Sequence, residues 1–397
     1  MFRQRVDGKA GIGGGVAVSI VDGPSPAIDT LAAGAEATHG FLRAAWYAGS
    51  GAAGMRTMVA AGADGTPLIA IPTMRIGPAL LGMRAVPGSY WPFRSLAIAP
   101  GATLEALTAI LAAPAVEAAL GTTWRLGPVY EDDPAITLLG RAAKCAGWTA
   151  IRRTHGPTYL LDLAARPPRA DRRVAGYARS LAEGGMVELR TVTGDGWTEA
   201  AIADLAHVER NSWVGQATDG SGAKFIAAAE AARWYRVTRD PFLAAALSAT
   251  ILSVAGEPIA FSFDLAAGPT QYAIASSFHQ KFAKARPGRI VTADQFARAA
   301  AAGITTIDLG AGDSGYKRAM GAVAGPALVD ILFVRNRAAA ELVGWRWGTV
   351  SPLGGDILRT PPLALTTQDV SPRRLRDLMP PLLAAGALAA AAMSIAE

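Results

Sequence analysis

The 397-residue chain is long enough for two or three ordinary domains, and 51% hydrophobic against 18% charged content excludes global disorder. A net charge of +6 favours an anionic ligand, but no dense basic stripe marks a DNA-binding protein. The single cysteine, Cys145, excludes a disulfide framework and a cysteine metal site, and the four histidines form no i,i+4 pair to hold zinc.

The early run GIGGG is not followed by a helix and reads as a lead-in, with one strand signal at Val16–Val21. No apolar core follows the basic N-terminal residues, so no signal peptide and a cytoplasmic location are expected. A helix is predicted from Ile28 to Ala48. A hairpin, Met55–Ala61 with Leu68–Arg75, turns at Asp64-Gly65-Thr66-Pro67, and further strand pairing covers Met74–Val86. Leu104, Leu107, Ile110 and Leu111 at helical spacing predict a helix from Thr103 to Leu120. A strand at Trp124–Leu126, a turn at Gly127-Pro128, a helix over Asp133–Ala146 and a strand over Thr158–Leu163 complete a first unit, residues 1–163.

The Pro- and Arg-rich stretch 164–176 reads as a linker, and a second unit, 177–350, follows it. It has a helix at Trp197–Trp213 and strands at Ala260–Leu265 and Gln271–Ser276. A basic loop, Lys281–Arg289, then leads into a helix over Ile290–Ala302 that Gly303 stops. A strand at Ile304–Leu309 runs through a turn holding Asp313 and Ser314 to Tyr316-Lys317. A strand at Ala327–Arg335 and a helix at Ala338–Trp345 close the unit. In the extension 351–397, a link, Ser351–Pro362, leads to a terminal helix, Arg374–Ile395. That helix is too weakly hydrophobic to cross a bilayer and is interrupted by Pro380-Pro381. The element order repeats at an offset of roughly 170–190 residues, the signature of a duplicated mixed α/β unit.

The two copies differ where chemistry belongs. The first has an uncharged loop, Ala97–Gly101, before its helix; the second has the basic loop. Three of the six lysines, Lys281, Lys284 and Lys317, fall in this region. A helix start offers N–H groups and a positive dipole end to phosphate, so Lys284, Arg286, Pro287, Gly288 and Arg289 are the candidate phosphate- and cofactor-binding residues. Ile202, Leu205, Glu209 and Trp213 share one helix face. Glu209 is thus a carboxylate on an apolar stripe, either a catalytic base or half of a buried ion pair with a residue such as Arg233. Trp213 would wall an acceptor site that His207 and Asn211 flank, and His279 could reach a donor phosphate. Asp308 alternates with Ile307 and Leu309 on its strand and could orient Lys317 or bind an acceptor amine. Lys317 suits an oxyanion or phosphate and Tyr316 an acid.

The turn GEPIAF (256–261), the run SSFHQKFAKARPG (276–288), the strand-turn IDLGAGDSGYK (307–317) and ERNSW (209–213) resemble the GNAT-type acyltransferases. The similarity is to the CelD-like branch of cellulose and exopolysaccharide synthesis, related in fold to the Fem-type aminoacyl transferases, and it covers roughly Gly184 to Val334. It implies an α/β fold (α+β mixed sheets) of two tandem GNAT-like units packed together. The second unit would bind the acyl donor, and the first would serve as scaffold or acceptor wall. It also implies acetyl-CoA or another acyl-CoA as co-substrate. The acceptor would be an amine or hydroxyl of a sugar or exopolysaccharide precursor, and the partners exopolysaccharide-synthesis proteins. In the family a tyrosine often protonates the leaving thiolate, which the resemblance places on Tyr316. The family's donor loop is written Q/R-x-x-G-x-G/A, whereas Lys284–Arg289 carries one glycine. That departure leaves open a non-catalytic scaffold. A Fem-type transferase using aminoacyl-tRNA is a further alternative, which would need a basic groove for RNA.

Overall fold

A computed structural model describes residues 6–12, 15–49, 51–77, 82–88, 94–168, 171–217, 223–312, 315–347 and 349–350. The link Ser351–Pro362, the terminal helix, and Asp313 and Ser314 lie outside the described residues. The first half runs β1 (Val6–Ile12), β2 (Val16–Asp22), α1 (Pro26–Gly34), α2 (Ala44–Ala48), β3 (Arg56–Ala61), β4 (Pro67–Arg75), β5 (Arg84–Ala85), α3 (Leu104–Ala112), α4 (Pro114–Leu120), β6 (Thr123–Tyr130), α5 (Pro134–Cys145) and β7 (Thr149–Asp162). The second runs α6 (Arg172–Ala182), β8 (Val187–Val192), α7 (Glu199–Arg210), α8 (Trp213–Ala217), α9 (Ala228–Val237), α10 (Pro241–Ala246), β9 (Leu247–Val254), β10 (Glu257–Ala267), β11 (Thr270–Phe278), α11 (Pro287–Ala301), β12 (Thr306–Ala311), α12 (Tyr316–Ala319) and β13 (Val323–Val334). Helix α13 (Arg337–Trp347) and β14 (Thr349–Val350) follow.

The duplication is visible in the strand pairing. Strands β2 to β5 are antiparallel in succession, and β5 lies parallel to β6. Strands β8 to β11 repeat that pattern, and β11 lies parallel to β12. Both sets belong to one mixed sheet, ordered β1-β2-β3-β4-β5-β6-β13-β7-β12-β11-β10-β9-β8. The last strand of each unit is exchanged. β13 of the second unit pairs with β6 of the first, and β7 of the first pairs with β12 of the second. The two exchanged strands pair with each other at the centre.

Apolar packing also crosses the boundary. One core cluster runs from Val18, Leu31 and Trp46 to Trp197, Phe261 and Phe263. Trp46 meets Trp234 edge-on at 5.9 Å, and Phe41 meets Tyr272 at 6.2 Å. A smaller cluster on the other face packs α6 and α11 against β9 and β10. The central charge is Asp330 on β13, which is completely buried. Its carboxylate accepts from Arg125 of β6 at 2.7 and 3.2 Å, Arg153 of β7 at 3.0 Å and His155 of β7 at 2.8 Å. Burial opposes ionisation, but these partners outweigh it and hold the carboxyl well below its ordinary range.

Several elements depart from the sequence reading. The helix expected over Ile28–Ala48 is α1, a 3₁₀ turn and α2, because the chain turns extended at Ala35. The helix expected over Thr103–Leu120 breaks at Ala113-Pro114, where proline excludes the helical conformation for the residue before it. Gly127-Pro128, expected as a turn, lies inside β6, and pairing with β13 carries the strand through it. A Cβ at Gly127 would sit 2.7 Å from the Val329 carbonyl, so only glycine allows that approach. Strand β7 is longer than expected, and α6 occupies the end of the expected linker, capped by Asp171, which accepts from Arg173 N–H at 2.8 Å.

Replacing Asp330 with asparagine should cost about 3–5 kcal/mol, because two guanidiniums would be left facing a neutral group. Because the folded-state pKa is depressed, the carboxylate's contribution is present above the unfolded value of about 4 and is lost as pH falls from there. Urea midpoints measured from pH 7 down to pH 3 should therefore fall more steeply for the wild type than for D330N.

Candidate functional site

The parallel strands β11 and β12 stay together for only three residue pairs, ending at Tyr272–Asp308. Beyond that point β11 continues to Phe278 and β12 to Ala311 without pairing to each other. A register shift opposite Phe263/Asp264 leaves Ile274 as an extra residue at the point of divergence. A bulge bends its strand and re-aims its side chains, and here it turns β11 away from β12. The result is a slot of about 230 Å³ through the sheet. One wall is Ala273–Ser277 of β11 and the other Leu309–Ala311 of β12. Thr292, Gln295 and Phe296 of α11 line it on one face, and Glu209, Val214 and Lys224 on the other. Ser262 and Asp264 of β10, with Tyr316, Lys317 and Met320, complete the lining.

The slot brings Glu209, Tyr316 and Lys317 together. Lys317 is buried and donates to the Gly310 carbonyl at 2.9 Å and the Ala311 carbonyl at 2.8 Å. Its ammonium also lies 5.6 Å over the ring of Tyr159, which β7 brings from the first unit. Tyr316 is half exposed at the rim. The carboxylate of Glu209 accepts backbone N–H groups of Lys224, at 2.9 and 3.0 Å, Phe225, at 2.6 Å, and Ile226, at 3.2 Å. Its acceptor capacity is thus taken up in holding the start of the segment that leads to α9, a positioning task.

Asp308 does not line the slot. It faces the opposite side of β12, where it accepts from the Tyr130 hydroxyl of the first unit and, at 2.7 Å, from Gly310 N–H. Burial raises its carboxyl above the ordinary range. Asp308 and Lys317 hold the two peptide groups that flank one α-carbon: the first accepts the N–H of Gly310, the second donates to its carbonyl. Trp213, at 55% exposure, stands outside the slot beside Val214. Asn211 ends α7, bonds back to the His207 carbonyl at 2.9 Å, and receives Gln280 N–H on its own carbonyl at 2.9 Å. His207 and His279 each place Nε2 3.7 Å from one Glu257 oxygen. His279 Nδ1 accepts from Lys281 N–H at 3.1 Å and so caps the turn that opens the basic loop.

None of Lys284, Arg286, Pro287, Gly288 and Arg289 lines the slot, although they begin the helix that supplies Thr292, Gln295 and Phe296. Lys281, Lys284, Arg286 and Arg289 are all exposed. Arg286 takes a left-handed conformation, φ 51°, and its side chain gives α11 no cap. Pro287 and Ile290 of the first turn are buried, while the four cations before and within it are exposed. A Cβ on Gly288 would meet the Phe278 ring at 3.4 Å, an ordinary contact distance, which puts the helix start against the end of β11.

Asp264 is the residue that the sequence reading passed over, inside the run Ala260–Leu265. It is 2% exposed, lines the slot and accepts from Gln295 Nε2 at 2.5 Å. Burial pushes its carboxyl up to about 8. The alternation Phe261, Phe263, Leu265 against Ser262, Asp264 was the available signal: one strand face is apolar and the other polar beneath a helix.

A sequence model described as the acetyltransferase (GNAT) domain matches residues 168–318, which contain the slot and the basic loop. No curated protein matches the chain. Among solved structures, FemX is similar with a TM-score of 0.51 at 12% identity, over 76% of this chain and 93% of that one. L-PGS from Bacillus licheniformis aligns over 80% of this chain and 94% of that one, at 13% identity and a TM-score of 0.47. A tandem GNAT protein from the clavulanic acid biosynthesis pathway aligns over 71% and 83%, at 13% identity and a TM-score of 0.38. The slot and the basic helix start thus lie inside the stretch, residues 168–318, that matches the acetyltransferase (GNAT) domain, and this match supports an acyltransferase enzyme.

Proposed function

We propose that the protein transfers an acyl group from acetyl-CoA, or another acyl-CoA, to an amine or hydroxyl of a sugar or exopolysaccharide precursor. The observation that carries this reading is the slot itself. It opens between two parallel strands, is walled by the small residues Ala273, Ala275, Ser276, Ser277, Gly310 and Ala311, and is lined by Thr292, Gln295 and Phe296 of the helix whose first turn carries Arg289. The donor diphosphate sits on Arg286, Gly288 and Arg289, with Lys284 adding charge, and the acyl arm enters the slot.

Lys317, held at the slot by two carbonyls, places its positive charge near the oxygen that becomes negative as the carbonyl is attacked. Tyr316, at the rim, protonates the departing thiolate. Trp213, exposed beside the slot, offers a flat apolar face to a sugar ring, with His207 and His279 near that mouth. The first unit acts as scaffold: its β7 backs β12 and supplies Tyr159 under Lys317.

Calorimetry with acetyl-CoA should give saturable binding, weakened about tenfold by Arg286→Ala or Arg289→Ala, the scale of one charged hydrogen bond. No heat with acetyl-CoA or with longer acyl-CoA esters would overturn the donor assignment. Lys317→Met should leave that affinity within about threefold and lower thiol release to amino-sugar acceptors by about 10²–10³-fold. A K317M enzyme with wild-type turnover would remove Lys317 from the chemistry.

A further inference from the structure

We propose that Asp264 is the general base of the transfer, taking the proton from the acceptor's nucleophilic nitrogen or oxygen as its bond to the acyl carbon forms. The inference rests on reading the slot as the donor channel. Its starting point is register. Asp264 pairs across the sheet with Ala273, the first slot residue of β11. The helix start that would hold the diphosphate lies against Phe278, the last residue of β11. Five residues separate Phe278 from Ala273, roughly 16 Å at 3.3 Å per residue. An extended arm anchored at Gly288 and laid along Ser277, Ser276 and Ala275 therefore delivers its far end to the narrow apex, next to Asp264.

The side chain is also prepared for the task. A buried carboxyl is costly unless it is neutralised, ion-paired or well hydrogen-bonded. No ion pair among the described residues includes Asp264. Gln295 on α11 fixes one oxygen at 2.5 Å. Ser262, two residues earlier on the same face, is 1% exposed and presents its hydroxyl to the Asp264 carboxyl, which it helps to hold ionised. A ligand entering the apex thus meets a fixed carboxyl and a buried hydroxyl, while Ala273 and Ser276 leave the space open. The carboxyl's range near 8 suits a base that works close to neutral pH.

The step balances for an amine acceptor. The nitrogen lone pair forms the C–N bond and a nitrogen proton moves to Asp264. The C–S bond breaks with its electron pair on sulfur, and Tyr316 protonates the thiolate. Asp264 then releases its proton to water and Tyr316 regains one, so no net proton is consumed.

Two measurements on the full chain test this. In calorimetry with acetyl-CoA at pH 8, run in buffers of different ionisation heat, the wild type should take up protons, because the arm strips remaining water from Asp264 and favours its neutral form. Asp264→Asn should bind acetyl-CoA within about twofold of wild type and show no such uptake. Acetyl-CoA hydrolysis, with water as the nucleophile, should rise with pH through about 8 and then level off in the wild type. In D264N it should be about a hundredfold slower and lack that limb. Gln295→Leu keeps the carboxyl but removes its donor and should move the limb to higher pH, a readout that survives if D264N does not fold. Equal proton uptake, or an equal rate and pH profile, in wild type and D264N overturns the assignment of Asp264 while leaving the donor site standing. Absence of acetyl-CoA binding in both proteins overturns the donor site itself.

Discussion

The exchange of β7 and β13 is the constraint on which the site depends. Each unit ends by lending its last strand to the other, so neither half-sheet is complete alone. The exchanged strands meet at Asp330, whose single carboxylate binds side chains from both β6 and β7. Ion pairs of this kind bring little net stability over apolar packing, yet breaking one partner is costly, so they specify which strands belong together. The outer strand of the slot, β12, is held on its far side by a strand of the first unit. Tyr130 and Tyr159, both from that unit, touch the two charged groups nearest the β12 turn, Asp308 and Lys317.

Room for a ligand follows from backbone rather than from large side-chain gaps. After Tyr272–Asp308 the two parallel strands have no hydrogen bonds to each other, and their edges would be costly to bury without other partners. On the β12 side the Gly310 and Ala311 carbonyls are satisfied by Lys317. The same ammonium therefore closes an exposed sheet edge and brings positive charge to the slot. Glu209 plays the complementary part across the slot, satisfying three consecutive backbone N–H groups with one carboxylate. Both charged side chains were singled out from sequence for chemistry, and both are tied first to backbone.

Legibility followed the range of the interactions. The β10–β11 hairpin, α11, β12 and the basic loop between them were readable because short apolar runs and Gly/Pro punctuation are local signals. The duplication was readable from the spacing of the same signals. The strand exchange was not, because nothing near Val323–Val334 says which neighbours it will pair with. The burial of Glu209 was visible in the helical face it shares with Ile202 and Leu205, but its partners lie fifteen to seventeen residues further on, in a segment with no matching pattern. Asp264 was lost because a strand covered on both faces reads as one apolar run. The alternation of Ser262 and Asp264 with Phe261, Phe263 and Leu265 marks its polar face, and Gln295 above it gives that face a partner.

The two units also show how a duplicated fold divides labour at equivalent places. The parallel pair β5/β6 is the topological counterpart of β11/β12. On β6 the strand position carries Arg125, whose charge is consumed by Asp330 of the exchanged strand. On β12 the matching position carries Asp308, bonded to Tyr130 of β6. Both polar groups thus point into the seam between units and stitch it from opposite sides. What distinguishes the second unit is the next layer. Its helix start is basic where the first unit has Ala97–Gly101, and its third strand carries a buried acid under the helix. A seam built from Arg125, Asp330, Asp308 and Tyr130 fixes the backbone on one side of β12, and this rigidity lets the other side remain open without collapsing.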